Sequence, residues 1–218
     1  METRPAGRQR VADALTADAD VLAHLLSREQ GKPSAKSQAG VGGAGFFING
    51  FADLDLAPTV HRDADAQHVR AERRPIGVVG AITAWNYPVL LGAWTIVPAV
   101  LTGNAVILKP SERDPSVPNM IAALFKEAGL PDGVLQVVHG DKEAVDAILD
   151  SEVIQAVGFV GSTPIAQYIY ERAAQTGKRA QCFGGAKNHM IIMPDADLDQ
   201  AADALVGAGY GAAGERCM

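Results

Sequence analysis

Ile76-Gly-Val-Val-Gly-Ala-Ile82 is the stretch on which the fold turns. Every residue in it is apolar or glycine, so it lacks the alternation of a strand with one wet face. Continuous apolarity over so short a run fits a strand covered on both sides, as in a parallel sheet. Toward the C-terminus, helical and strand patterns then alternate. The pattern predicts a helix over Val89–Leu101, a strand over Ala105–Leu108, and a helix over Ser116–Ala128 closed by Gly129 and Pro131. A strand over Val134–Val138, a helix over Lys142–Leu149 and a strand over Ala156–Val160 follow. A helix over Pro164–Ala174 opens with proline in its first turn. Ala180–Phe183 and Met190–Met193 read as short strands, and Asp197 to about Gly209 as a last helix with acidic residues in its first turn. This alternation predicts an α/β fold with a doubly wound, mainly parallel sheet and helices on both faces. Toward the N-terminus, Val11, Leu15, Leu22, Leu25 and Leu26 recur at helical spacing between Arg8 and Arg28. Gly31-Lys-Pro33 ends that helix, and the stretch onward to Leu56 also reads as helical. An α-helical segment therefore precedes the α/β unit.

The chain has 218 residues, 48% hydrophobic and 20% charged, a balance able to bury a sizeable core. Its formal net charge is −6, and no stretch concentrates Lys and Arg as a phosphate-neutralising surface would need. Arg70, Arg73 and Arg74 form a short basic run that reads as a solvated lead-in to the first strand. No nucleic-acid partner is expected. Two cysteines, Cys182 and Cys217, are too few for a disulfide framework, which points to a reducing compartment. The N-terminus is polar and Arg-rich with no apolar export segment. The longest apolar stretch, Val89 to Leu101, is broken by Gly92 and Pro98 and is too short to span a bilayer. The sequence thus reads as cytoplasmic, without a membrane partner, and no metal-ligand set is apparent in it.

Two matches to the dinucleotide fingerprint G-x-G-x-x-G mislead. Gly40, Gly42 and Gly45 follow the polar segment 33–39, and Gly209, Gly211 and Gly214 follow a helix. A working fingerprint follows a strand and opens a helix, so helix packing through small residues is the better reading of both. The informative loops lie after the strands, where a doubly wound sheet holds its ligands. Thr83-Ala-Trp85-Asn86-Tyr-Pro88 places Asn86 at a carboxyl end, where its amide could donate to a developing oxyanion. Lys109-Pro-Ser111-Glu112-Arg113 puts a carboxylate where a ribose would lie; Glu112 would accept ribose hydroxyls and repel a 2′-phosphate. Phe159-Val-Gly161-Ser162-Thr-Pro164 joins strand to helix with N–H groups and a hydroxyl suited to a diphosphate. Taken singly, each loop also reads as ordinary turn or capping chemistry.

The joint order Ile82-Thr-Ala-Trp-Asn-Tyr-Pro88, Gly103-Asn-Ala-Val-Ile-Leu-Lys-Pro-Ser-Glu112, Phe159-Val-Gly-Ser-Thr163, Gly184-Gly-Ala-Lys-Asn188 and Gly214-Glu-Arg-Cys217 resembles the aldehyde dehydrogenase superfamily over nearly the whole chain. The resemblance implies that Cys217 is the nucleophile and Asn86 an oxyanion donor. It implies NAD as cofactor, with Lys109, Ser111, Glu112, Arg113, Gly161, Ser162 and Gly184 on the nucleotide and Thr83 and Trp85 along its path. It further implies an aldehyde substrate and a homo-oligomer. Residues 1–74 would be the helical segment of the cofactor domain, 75–196 the NAD-binding domain, and 197–218 the start of the catalytic domain. Full family members run roughly twice this length, so an incomplete chain is expected at both ends, or else a non-catalytic NAD-binding module. Cys182 matches no functional position and reads as a small hydrophobe.

The second half, with Tyr168-Ile-Tyr-Glu171, Gly177-Lys-Arg179, Gly184-Gly-Ala-Lys-Asn-His189 and Met193-Pro-Asp-Ala-Asp197, resembles the CoA-acylating methylmalonate-semialdehyde dehydrogenase branch. Most of the family carries a Glu four residues before the Lys that here is Lys187. Phe183 stands there instead. Water needs a general base to attack a thioester, whereas a CoA thiol is intrinsically nucleophilic. Coenzyme A is therefore the expected co-substrate and an acyl-CoA the expected product. The Trp85-Asn-Tyr-Pro88 turn instead resembles the broad hydrolytic members, which keeps a carboxylate product open.

Overall fold

The computed structural model describes residues 4–51, 56–64 and 67–217. Three helices, α1 (Arg4–Ala17), α2 (Ala19–Gln30) and α3 (Ser34–Gly50), precede a two-stranded ribbon of β1 (Thr59–Ala64) and β2 (Gln67–Ala71). The α/β unit follows as β3 (Val78–Ile82), α4 (Pro88–Leu101), β4 (Ala105–Lys109), α5 (Ser116–Glu127), β5 (Leu135–Val137), α6 (Lys142–Asp150), β6 (Ile154–Val160), α7 (Thr163–Gln175) and β7 (Arg179–Phe183). Then come α8 (Leu198–Tyr210) and a 3-10 turn, Gly211–Gly214.

The main sheet runs β5-β4-β3-β6-β7, and every neighbouring pair is parallel. The run that reads as a doubly covered strand is the central one. Side chains alternate across it: Ala81 packs into one buried cluster and Ile82 into the other. On the first face, Val106 and Leu108 of β4 meet Val89, Ile96 and Val97 of α4 and Val117, Ile121 and Leu124 of α5. The N-terminal helices join the same cluster through Val11, Leu15, Leu22, Leu26, Val41 and Ile48. On the opposite face, Val157 and Phe159 of β6 pack with Val145, Ile148 and Leu149 of α6 and Ala166, Ile169 and Ala173 of α7.

Close packing at the centre of the sheet gives one direct test. A Cβ added at Gly80 would lie 2.6 Å from Ile148 Cγ2, and Ile148 is itself buried. Gly80→Ala is expected to lower stability by about 1–3 kcal/mol, the usual range for overpacking, measured as a reduced urea midpoint with an unchanged slope.

Four sequence expectations need correction or refinement. The helix over Arg8–Arg28 starts earlier and is divided at Asp18, whose ψ of 14° breaks regular helix between α1 and α2. Helical structure beyond Gly31 covers Ser34–Gly50; residues 52–55 of the stretch expected to reach Leu56 lie outside the described residues. The ribbon β1–β2 escaped notice because its alternating sequence is largely polar, and Arg70 sits inside β2 rather than before a strand. Met190–Met193 is not a strand: no described strand pairs with it, and Ile191 is 84% exposed. Apolar residues alone do not make a strand when no ladder partner takes up the backbone groups.

Neither glycine fingerprint joins a strand to a helix. Gly40, Gly42 and Gly45 lie within α3, and Gly209, Gly211 and Gly214 run from the end of α8 through the 3-10 turn. No helix among the described residues is long and apolar enough to cross a membrane.

Candidate active site

The sheet changes direction at β3: β4 and β5 lie on one side, β6 and β7 on the other. Beyond the carboxyl ends of the strands at such a switch point a doubly wound sheet leaves a crevice. Here it is a cleft of about 840 Å³, within the roughly 300–1,000 Å³ range of ligand pockets. Thr83, Trp85, Asn86, Lys109, Ser111, Glu112, Arg113, Gly161, Ser162, Gly184 and Cys217 all line it. Residues as far apart in sequence as 83 and 217 thus face one space.

The β3 loop is built by its neighbours. Thr83 prolongs the sheet by donating its N–H to Lys109 O at 3.1 Å. Pro88 then starts α4, fixing where the turn must end. Trp85 O accepts from the Gln30 side chain, and Asn86 O accepts from Lys32 Nζ at 3.1 Å. The Asn86 amide donates to Glu215 O at 2.6 Å, which binds this turn to the loop carrying Cys217. One of its two N–H bonds serves there; the second is available to a ligand.

The β4 loop carries the ion pair. Lys109 Nζ lies 3.3 Å from Glu112 Oε2, the lysine buried and the carboxylate half exposed. The Glu112 carboxyl is held below its ordinary value, first by a main-chain hydrogen bond and then by Lys109, so it is ionised near neutral pH. Ser111 and Glu112 do not cap α5. Ser111 Oγ accepts from Arg113 N at 3.2 Å, while Ser116 N in the first turn of α5 donates to Glu29 of α2 at 3.2 Å. The Arg113 guanidinium lies 6.0 Å from the centre of the Trp85 ring, a cation–π contact linking the two loops.

At β6 the chain turns into α7 through Ser162, the N-cap residue, whose side chain makes no capping bond. Its hydroxyl is left to the cleft. Gly161 uses its N–H on Phe183 O at 3.0 Å, and a side chain at Gly161 would collide with the Phe159 ring. Gly184 is equally confined: an added Cβ would lie 2.9 Å from Thr163 Oγ1 and 3.0 Å from Thr163 Cα. Gly185 N donates to that Thr163 hydroxyl at 2.9 Å, clamping the β7 loop onto the start of α7.

Cys217 is exposed and free, whereas Cys182 is half-buried and packs against the second core cluster. Burial raises the Cys182 pKa above its ordinary value. The Cys217 carbonyl accepts from Asn188 Nδ2 at 2.9 Å. Just upstream, Ala212 and Ala213 adopt φ of 52° and 55°, left-handed conformations uncommon for residues with a Cβ. Ala212 is fully buried, and Arg216 Nη1 donates to Gly207 O at 2.7 Å. Phe183 does not line the cleft; its ring stacks on Trp94 with centroids 6.4 Å apart.

Several residues at this site escaped the sequence reading. Asp141, Lys142, Ile165 and Tyr168 line the cleft from α6 and α7. Lys142 Nζ donates to Tyr168 OH at 3.0 Å, and Tyr168 OH donates to Asp146 Oδ1 at 2.6 Å. The place of Lys142 at the start of α6, the helix that follows β5, was the available signal. Behind the cleft lie Lys32 and Asp114, 2% and 1% exposed. Burial lowers the Lys32 pKa to about 8, helped by Arg216 and opposed by Asp114 and Cys217. Burial raises the Asp114 pKa to about 8, with Glu29 adding to the shift.

A model of the aldehyde dehydrogenase family matches residues 1–218. The chain belongs to the aldehyde dehydrogenase family. It is 48% identical over 206 residues to a malonate-semialdehyde dehydrogenase of Pseudomonas aeruginosa, covering 90% of this chain and 40% of that protein. A malonate-semialdehyde dehydrogenase of Halalkalibacterium halodurans is 46% identical over 201 residues, covering 90% and 41%. Among solved structures, the methylmalonate-semialdehyde dehydrogenase of Oceanimonas doudoroffii superposes with a TM-score of 0.93 at 44% identity, covering 98% of this chain and 44% of that one. A Sinorhizobium meliloti protein, described as a methylmalonate-semialdehyde dehydrogenase and complexed with NAD, gives 0.90 at 51% identity, covering 98% and 44%. The chain spans about two fifths of the length of the curated relatives it matches.

Proposed function

We propose that this chain supplies the nucleotide site and the nucleophile of an NAD-dependent semialdehyde dehydrogenase that passes its acyl group to coenzyme A. The observation that carries the reading is the single cleft onto which Cys217, Asn86 and the residues read as nucleotide contacts all open. In this reading residues 75–196 form the NAD domain, 1–74 its helical approach, and 197–218 the first part of the catalytic domain. The similarity to semialdehyde dehydrogenases supports malonate or methylmalonate semialdehyde as substrate.

The residues present fit NAD. Ionised Glu112, at the carboxyl end of β4, can accept ribose hydroxyls and repels a 2′-phosphate, while Lys109 holds its second oxygen in place. The Ser162 hydroxyl and the start of α7 offer donors for a diphosphate, and the side-chain-free surface at Gly184 allows close approach. Trp85 and Thr83 line the way toward Asn86.

Cys217 Sγ, as thiolate, attacks the aldehyde carbonyl carbon; the carbon–sulfur bond forms and the carbonyl pair moves to oxygen. The free N–H of Asn86, with a main-chain N–H, receives that oxyanion. NAD, when bound, would supply the two-electron oxidation of this carbon by taking up its hydride. Cys217 then carries a thioester. CoA, as thiolate, adds its sulfur to the thioester carbonyl carbon; the new carbon–sulfur bond forms and the Cys217 thiolate leaves with the old bonding pair.

Phe183 favours CoA over water at this last step, because no carboxylate stands at that position to activate water. The Trp85-Asn-Tyr-Pro88 turn favours the second reading, hydrolysis to a carboxylate. Product analysis of the active enzyme separates them. The unaltered enzyme is expected to form acyl-CoA, and Phe183→Glu to raise carboxylate release by roughly 100-fold or more, the lower range of general-base effects. Absence of acyl-CoA from the unaltered enzyme rejects the CoA reading; no rise with Phe183→Glu rejects the missing base as its cause.

A further inference from the structure

Lys32 is a buried charge outside the reacting groups. Its Nζ donates to Asn86 O at 3.1 Å and sits 3.5 Å above the centre of the Tyr87 ring. Burial of an ammonium is costly unless its donors are used, and here a main-chain carbonyl and an aromatic face take the place of a carboxylate. The residue is delivered by the α2–α3 turn, where Gly31 at φ 77° caps α2 and a hydroxyl pair, Ser27 and Ser37 at 3.0 Å, braces the two helices. From the same turn Gln30 holds Trp85 O. Three consecutive residues, Trp85 to Tyr87, are thus gripped by two side chains from one helical hairpin.

We propose that Lys32 is a positioning residue: by holding Asn86 O and the Tyr87 ring, it sets the 84–88 turn so that the Asn86 amide reaches the loop of Cys217. The path is continuous. Lys32 Nζ donates to Asn86 O, Asn86 Nδ2 donates to Glu215 O, and Glu215 precedes Cys217 by two residues. The electrostatic surroundings have the same layout: Asp114 before α5 and Cys217 attract the ammonium, and Arg216 repels it. The catalytic consequence rests on the reading of Asn86 and Cys217 as the reacting pair; the conformational claim does not.

Amide hydrogen exchange on the 218-residue chain tests it, comparing the unaltered protein with Lys32→Met and Lys32→Arg. Met keeps the length and apolar stem but has no donor; Arg keeps donor and charge. Lys32→Met is expected to speed exchange at Trp85, Asn86 and Tyr87 and at 215–217 by roughly tenfold or more, the loss expected for one hydrogen bond from a charged donor. Exchange in α7 should stay unchanged, because no contact in the relay reaches it. Alkylation of Cys217, followed by peptide mass spectrometry, should change with the loop while that of Cys182 does not. Lys32→Arg is expected to restore exchange toward the unaltered values. Unchanged exchange at 84–88, a loss spread over α1–α3, failure of Lys32→Met to fold, or no recovery with Lys32→Arg would each overturn the proposal. Failure of the functional reading would appear elsewhere, as aldehyde turnover that survives loss of Cys217 with the exchange result intact.

Discussion

Cys217→Ala is expected to lower kcat/KM for aldehyde oxidation in the active enzyme by at least ~10⁴-fold, the scale seen when a covalent nucleophile is removed. The affinity for NAD should change by no more than about twofold, since the nucleotide contacts proposed at Glu112, Lys109 and Ser162 remain. The second thiol cannot substitute. Cys182 is half-buried on β7 and packs against the core cluster of α6 and α7, and burial disfavours its thiolate. Aldehyde-dependent NADH formation and calorimetric titration with NAD measure the two quantities separately. Full residual activity would end the assignment of the nucleophile. Loss of NAD binding would instead assign Cys217 a structural part in the cleft.

The second large effect is expected at Asn86. Asn86→Ala should lower kcat by about 10²–10³-fold, as removal of one oxyanion donor does. The structure adds a complication, because the same amide holds Glu215 O at 2.6 Å. Asn86→Asp separates the two contributions in part: it keeps the shape, loses both donors, and sets a negative charge against the oxyanion. Its kcat should therefore fall at least as far as that of Asn86→Ala. A KM change with little loss of kcat would show that Asn86 only shapes the loop. Steady-state rates over a range of aldehyde concentrations decide between these outcomes.

The value of Phe183 lies in a contrast of position. The residue before it, Cys182, turns toward the core cluster, while Phe183 is half exposed and stacks on Trp94. Its ring is not part of the cleft surface. Its relevance to the product rests on the chemistry it lacks.

Much of the architecture was legible because it depends on local pattern. The apolar run ending at Ile82 became the central strand β3, and each strand–helix alternation from Ala105 to Phe183 appears in the structure with bounds shifted by a few residues. Failures came where a segment's state depends on a partner. Among the described residues the polar strands β1 and β2 pair only with each other, so they carry no burial signal. Met190–Met193 has the composition of a strand and no described neighbour to pair with. The left-handed pair Ala212 and Ala213 gave no warning either, because alanine has no local preference for that conformation.

The sequence alone determined which chemical groups are available: a thiol at 217, an amide at 86, a carboxylate and a lysine after β4, and a phenyl ring where a base could stand. It also determined that Asn86 and Glu112 stand just beyond strands, because the period of apolar residues is a local property. Only the tertiary structure decided that they meet. The order β5-β4-β3-β6-β7 brings loops from distant parts of the chain to one crevice, a consequence of long-range strand pairing. Lys32 shows the limit most plainly: in the sequence it stands only where a helix ends, between Gly31 and Pro33, yet the packing of α3 against α2 and α4 buries it beside Asn86.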